Sequence, residues 1–136
     1  DTGIGLALFG AADEAERSRA LAEGWPGPVL DLCGRASPRV SALILARALC
    51  YLGHDSGPMH LAASMGTPAV AVFSGQRKPG VWFPYGRDHR PLYNRTPCFG
   101  CYLDVCIEFN KQCIMGITPD QVVAAVGEVM AARGGS

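Results

Sequence analysis

Residues Leu49 to Gly75 read LCYLGHDSGPMHLAASMGTPAVAVFSG. An apolar run, Leu49 to Gly53, ends at His54-Asp55. Ser56-Gly57-Pro58 then has the composition of a helix start: a hydroxyl to cap, a permissive glycine and a proline for the first turn. Met59, Leu61, Ala62, Ala63 and Met65 carry the helix on, Gly66-Thr67-Pro68 stops it, and Ala69 to Phe73 is a second apolar run of strand length. The order strand, tight turn, helix, strand gathers polar residues at one strand-to-helix junction. Open α/β sheets take their ligands there, outside the carboxyl ends of the strands.

The same alternation extends upstream. Ile4 to Phe9 is predicted to be a strand buried on both faces, Ala11 to Glu23 a helix with Asp13 and Glu14 near its positive end, and Val29 to Cys33 a second strand. Pro38 to Ala48 reads as a further helix. Four strand–helix alternations within about 75 residues predict a Rossmann-like parallel sheet with helices on both faces, over one domain spanning 1–136. Gly3-x-Gly5 precedes its strand instead of following it, so it is not a dinucleotide fingerprint.

Downstream the texture changes. Residues 76–113 form a loop and Cys-rich excursion, with a short strand expected only at Arg90 to Asn94. Thr118-Pro119-Asp120-Gln121 has the pattern of a capping box and opens a last helix over 118–132. With 136 residues, 49% of them apolar, the chain can bury a core, and one domain is the expectation. Twelve basic and twelve acidic residues cancel, which gives no bulk attraction to nucleic acid or an anionic membrane. No apolar run reaches the roughly 18–20 residues a bilayer span needs. The chain begins Asp1-Thr2-Gly3 without a methionine and is read as part of a longer protein.

Chemistry concentrates around Asp55. A helix N-terminus attracts anions through its unpaired N–H groups and dipole, and Gly57 removes a side chain that would hold a phosphate off the backbone. Asp55 would repel phosphate and suits the hydroxyls of a sugar, whereas His60, one turn in, could donate to a phosphate oxygen. Taken singly, Asp55 and Ser56 read equally well as helix caps and His60 as a satisfied histidine. Their conjunction at a sheet's carboxyl end favours an anionic ligand. Arg77 and Lys78 could meet a phosphate or the acceptor at an active-site edge but read first as solvated loop charges, and Trp82, Phe83 and Tyr85 could stack on a sugar or nucleobase but read first as aromatics that pack the loop down. Cys98, Cys101, Cys106 and Cys113 have a spacing compatible with structural Zn or Fe, with disulfides, or with packed thiols, and Cys33 and Cys50 read as core.

Asp55-Ser56-Gly57-Pro58-Met59-His60-Leu61-Ala62-Ala63 followed by Gly66-Thr67-Pro68 resembles the signature of glycosyltransferase family 9, which contains the lipopolysaccharide heptosyltransferases. Asp31-Leu32-Cys33-Gly34-Arg35 and the cysteine run are similar to further segments of that family. The resemblance implies the C-terminal, nucleotide-sugar-binding half of a GT-B fold, with the N-terminal acceptor domain and its catalytic base absent from this chain. It implies Asp55 on the sugar hydroxyls, Ser56, Gly57, Pro58, Met59 and His60 around the diphosphate, and Glu16 as a candidate for the ribose. The reaction implied is inverting transfer of a sugar, typically heptose from ADP-heptose, with no cofactor required for catalysis. The partners implied are the nucleotide-sugar donor and a glycan or lipid-linked acceptor, with no nucleic acid. The implied place is the cytoplasm, at the inner face of the inner membrane. A GT-B nucleotide-sugar epimerase domain and a non-catalytic nucleotide- or metal-binding module are the alternatives.

Overall fold

A computed structural model describes residues 3–78 and 80–134. The chain falls into two compact units, Asp1–Ile44 and Leu45–Ser136.

The first unit carries two parallel strands, β1 (Leu6–Leu8) and β2 (Val29–Asp31), with Leu6 opposite Val29 and Leu8 opposite Asp31. A 3-10 turn at Ala12–Glu14 leads into α1 (Ala15–Leu21), so the expected helix is shorter and starts tighter. Glu14 Oε2 accepts the Ala11 N–H at 2.7 Å, which satisfies a donor at that start. The sequence pattern predicts β1 as buried on both faces, but it is only half-buried, and among the unit's described residues Cys33 alone is fully enclosed. Two three-residue strands and a two-turn helix do not supply enough apolar area to cover both faces of their own sheet. Asp31 accepts the Cys33 N–H at 3.0 Å and faces Arg19 at 3.7 Å. The backbone N–H of Cys33, with help from Arg35 and Arg19, holds its carboxyl below the ordinary value. Helix α2 (Pro38–Leu45) follows.

The second unit is built on three parallel strands, β3 (Tyr51–His54), β4 (Ala69–Val72) and β5 (Arg90–Leu92), in the order β3-β4-β5. β4 is central, and the two-residue period of its side chains divides the core. Ala69, Ala71 and Phe73 pack with Met59 of α3 (Gly57–Ser64), and Val70 packs with Ala125 and Val129 of α5 (Pro119–Gly134). Helices therefore cover both faces of a buried parallel strand. β5 tolerates Pro91 because it lies at the sheet edge, where a missing N–H leaves no ladder bond unmade.

Helix ends follow from their residues. Gly66 takes a left-handed φ of 74° after α3, the Thr67 N–H returns to Ala62 O at 3.0 Å and the Gly66 N–H to Ala63 O at 3.0 Å. These are the paired bonds of a Schellman stop. At α5, Thr118 N–H donates to Gln121 Oε1 at 2.8 Å and Gln121 N–H to Thr118 Oγ1 at 3.4 Å, the reciprocal box expected from the sequence. A short helix, α4 (Gln112–Met115), was not anticipated; its four residues are too few to carry a periodic signal.

Candidate functional site

β3 ends at His54, and the chain turns at Asp55-Ser56 into α3, so the carboxyl end of a parallel strand meets a helix N-terminus. Tyr51 and Gly53 share one face of β3. A Cβ at Gly53 would collide with the Tyr51 hydroxyl, so the glycine leaves the ring room to lie along the strand. Tyr51 Oη then meets Ser56 Oγ at 3.1 Å. Burial pushes the Tyr51 hydroxyl above its ordinary pKa, with the Ser56 hydrogen bond acting against that rise.

This corrects one expectation. Ser56 occupies the cap position in an extended conformation (φ −157°, ψ 162°) but makes no side-chain capping bond. Pro58 has no N–H to offer, and the Met59 N–H is already taken by the Ser56 carbonyl at 3.1 Å. The His60 N–H goes to the same carbonyl at 3.4 Å. Of the first-turn positions, Gly57 keeps the N–H with no acceptor among the described residues. A Cβ on Gly57 would meet nothing within 4 Å, and the residue has no left-handed φ. Neither internal packing nor backbone geometry therefore calls for glycine at 57.

Asp55 and His60 come together: His60 Nε2 stands 3.7 Å from Asp55 Oδ1, and both side chains remain about two-fifths exposed. That separation is too long for a hydrogen bond, so neither group is consumed by the other. Trp82 contacts the His60 ring edge-on, with centroids 6.4 Å apart at 70°. Beside Asp55 opens a small cleft in which Ser74, Gln76, Arg77, Lys78 and Trp82 supply polar or charged edges. Its floor includes Phe73 and Phe83, whose rings lie 4.8 Å apart.

The sequence-predicted residues thus divide. Asp55, Ser56, Gly57, Pro58 and His60 cluster at the turn, while the Met59 side chain is fully buried in the core. Glu16 is exposed in the first turn of α1, in the first unit. Phe83 packs as expected, between Phe73 and Tyr93, and Tyr85 is almost fully exposed. Arg77, Lys78 and Trp82 are not bystanders, because they line the same cleft as Asp55. Sequence reasoning also missed the Tyr51–Ser56 link. Its available signal was a glycine two residues after a tyrosine on one strand face. Cys98, Cys101, Cys106 and Cys113 border a second, open cavity. Among the described residues no three His, Cys, Asp or Glu side chains form a ready coordination set.

Residues 1–112 match the profile of glycosyltransferase family 9 (heptosyltransferase). Lipopolysaccharide heptosyltransferase 1 of Pseudomonas aeruginosa is 34% identical over 102 residues, covering 72% of this chain and 27% of that protein. The Escherichia coli enzyme of the same name is 34% identical over 89 residues, or 65% of this chain and 27% of its own length. The chain therefore spans about a quarter of the length of these relatives. Among solved structures, a family 9 glycosyl transferase from Veillonella parvula superposes with a TM-score of 0.74 at 22% identity, over 93% of this chain and 36% of that one. E. coli ADP-heptose lps heptosyltransferase II gives 0.72 at 22% identity, over 94% and 37%.

Proposed function

Because the chain belongs to glycosyltransferase family 9, we propose that it is the donor-binding half of an inverting, metal-independent glycosyltransferase in lipopolysaccharide synthesis, taking ADP-heptose. The carrying observation is the Asp55–His60 pair, side by side at a helix N-terminus, with Asp55 lining a cleft that Arg77 and Lys78 also edge. It supplies two chemistries a nucleotide sugar needs: a carboxylate for hydroxyls, and donors and cations for a diphosphate.

In this reading the Asp55 carboxylate accepts hydrogen bonds from the sugar hydroxyls. The Gly57 N–H and the His60 ring N–H donate to the diphosphate, which approaches through the space that a side chain at 57 would occupy. Arg77 and Lys78 offset its charge. An acceptor hydroxyl attacks the anomeric carbon from the opposite face as the bond to the diphosphate oxygen breaks, and ADP leaves with the bonding electrons. The acceptor's proton goes to a base in an N-terminal acceptor domain of the full protein, completing a GT-B cleft. The acceptor is a glycan or lipid-linked glycan, and the enzyme works in the cytoplasm at the inner face of the inner membrane. Among the described residues no helix is long and apolar enough to cross a membrane, which suits a peripheral association through that acceptor.

His60→Ala in the full-length enzyme tests the leaving-group role. Loss of one such donor lowers turnover by about 10²–10³ and weakens ADP binding. Unchanged turnover with unchanged ADP affinity would remove His60 from the mechanism.

A further inference from the structure

Tyr51 stands opposite Ala69 where β3 meets β4, and its N–H donates to Pro68 O at 2.8 Å. Its ring packs against the cluster of Met59, Ala69, Ala71 and Phe73, so the tyrosine is held both at its backbone and along its ring. The hydroxyl lies at the far end, 3.1 Å from Ser56 Oγ. We propose that Tyr51 is a positioning residue for the donor diphosphate: its hydroxyl donates to Ser56 Oγ and turns the Ser56 O–H outward as a donor to a phosphate oxygen. This rests on the donor-binding reading above and adds to it a residue that acts through Ser56.

The direction of the bond follows from where a spare proton can sit. The two hydroxyls share one hydrogen bond, and among the described residues neither has another side-chain partner. One proton is used between them and one is left over. If Ser56 donated, the spare proton would belong to Tyr51, whose ring lies against apolar side chains. An unpaired polar hydrogen costs most where water reaches it least. If Tyr51 donates, the spare proton belongs to Ser56, beside Gly57, where an added Cβ would meet nothing within 4 Å. Burial raises the Tyr51 pKa, so the phenol keeps the proton it donates.

The helix makes no use of the Ser56 hydroxyl. That side chain forms no capping bond, and Pro58 carries no N–H to receive one. The backbone carbonyl of Ser56 already accepts the Met59 and His60 N–H groups, at 3.1 and 3.4 Å. Asp55, the adjacent carboxylate, faces His60 at 3.7 Å and takes no bond from Ser56 among the described residues. The Gly57 N–H likewise has no acceptor among the described residues. Two donors, the Ser56 O–H and the Gly57 N–H, are thus left in succession at the start of α3. A diphosphate, with several charged oxygens, can accept from both.

The test is calorimetric titration of the full-length protein with ADP, for wild type, Tyr51→Phe, Ser56→Ala and the double variant. Ser56→Ala is expected to weaken ADP binding about tenfold or more, and Tyr51→Phe about three- to tenfold. The double variant should bind no more weakly than Ser56→Ala alone, because the tyrosine acts through the serine. A tyrosine that only packed the core would weaken binding equally in both backgrounds. Gly53→Ala displaces the same ring and should weaken binding only while Ser56 is present, which keeps the proposal falsifiable if Tyr51→Phe fails to fold. Wild-type affinity in Tyr51→Phe, or additive losses in the double variant, would overturn the positioning role and leave the donor reading standing. A wild type that binds no ADP would overturn both.

Discussion

At the scale of single residues, the candidate site depends on what is missing as much as on what is present. Gly53 has no side chain, and that lets Tyr51 reach Ser56; Gly57 has none, and that leaves the helix start open. Gly53→Ala is expected to displace the Tyr51 ring, at a cost of about 1–3 kcal/mol of stability. Tyr51→Phe, which keeps the ring and loses one hydrogen bond, should cost about 0.5–1.5 kcal/mol. Urea unfolding of the two variants checks the order. A Gly53→Ala variant as stable as wild type would show that the ring does not need the glycine. Asp55 and His60 were legible as a pair because the turn and the helix fix their spacing. The partnership of Ser56 was not, since a serine before Gly-Pro reads as a cap until Pro58 and the occupied Met59 N–H are seen to leave it no donor.

At the scale of elements, strands and helices of the second unit were legible wherever the pattern agreed with the turn chemistry. Ala69 to Phe73 reads as a buried strand because each residue is apolar, and it proves to be the central strand with helices on both faces. The half-exposure of β1 and β2 was not legible, because an apolar run reports what a strand can bury and not what is present to cover it. Thr67 shows how one residue joins elements. Its fully buried hydroxyl donates to the carbonyl of Leu45, the last residue of α2, at 2.6 Å. Thr67→Val keeps the shape and leaves that acceptor unpaired, which should lower unfolding free energy by about 1–3 kcal/mol in a denaturant titration. An unchanged midpoint would mean that the carbonyl finds another donor.

At the scale of the whole molecule, the chain holds one side of a proposed two-sided reaction. The chain spans about a quarter of the length of the curated relatives it matches, and in the proposed reading the acceptor and its base belong to the rest of the full protein. The family could be read from the Asp55–Ala63 run, since nine residues in fixed order carry far more information than any single motif residue. Arg77, Lys78 and Trp82 ranked only second as ligand contacts in that reading, because a loop's charges and aromatics look solvent-facing until the fold brings them beside Asp55. Binding of the donor is the central claim, and calorimetric titration of the full-length protein with ADP-heptose, ADP, a UDP-sugar and a GDP-sugar tests it most directly. ADP-heptose should bind more tightly than ADP, with Asp55→Ala removing that preference while leaving ADP affinity nearly unchanged. Binding of none of the four, or equal affinity for ADP-heptose and ADP in the wild type, would contradict the assignment.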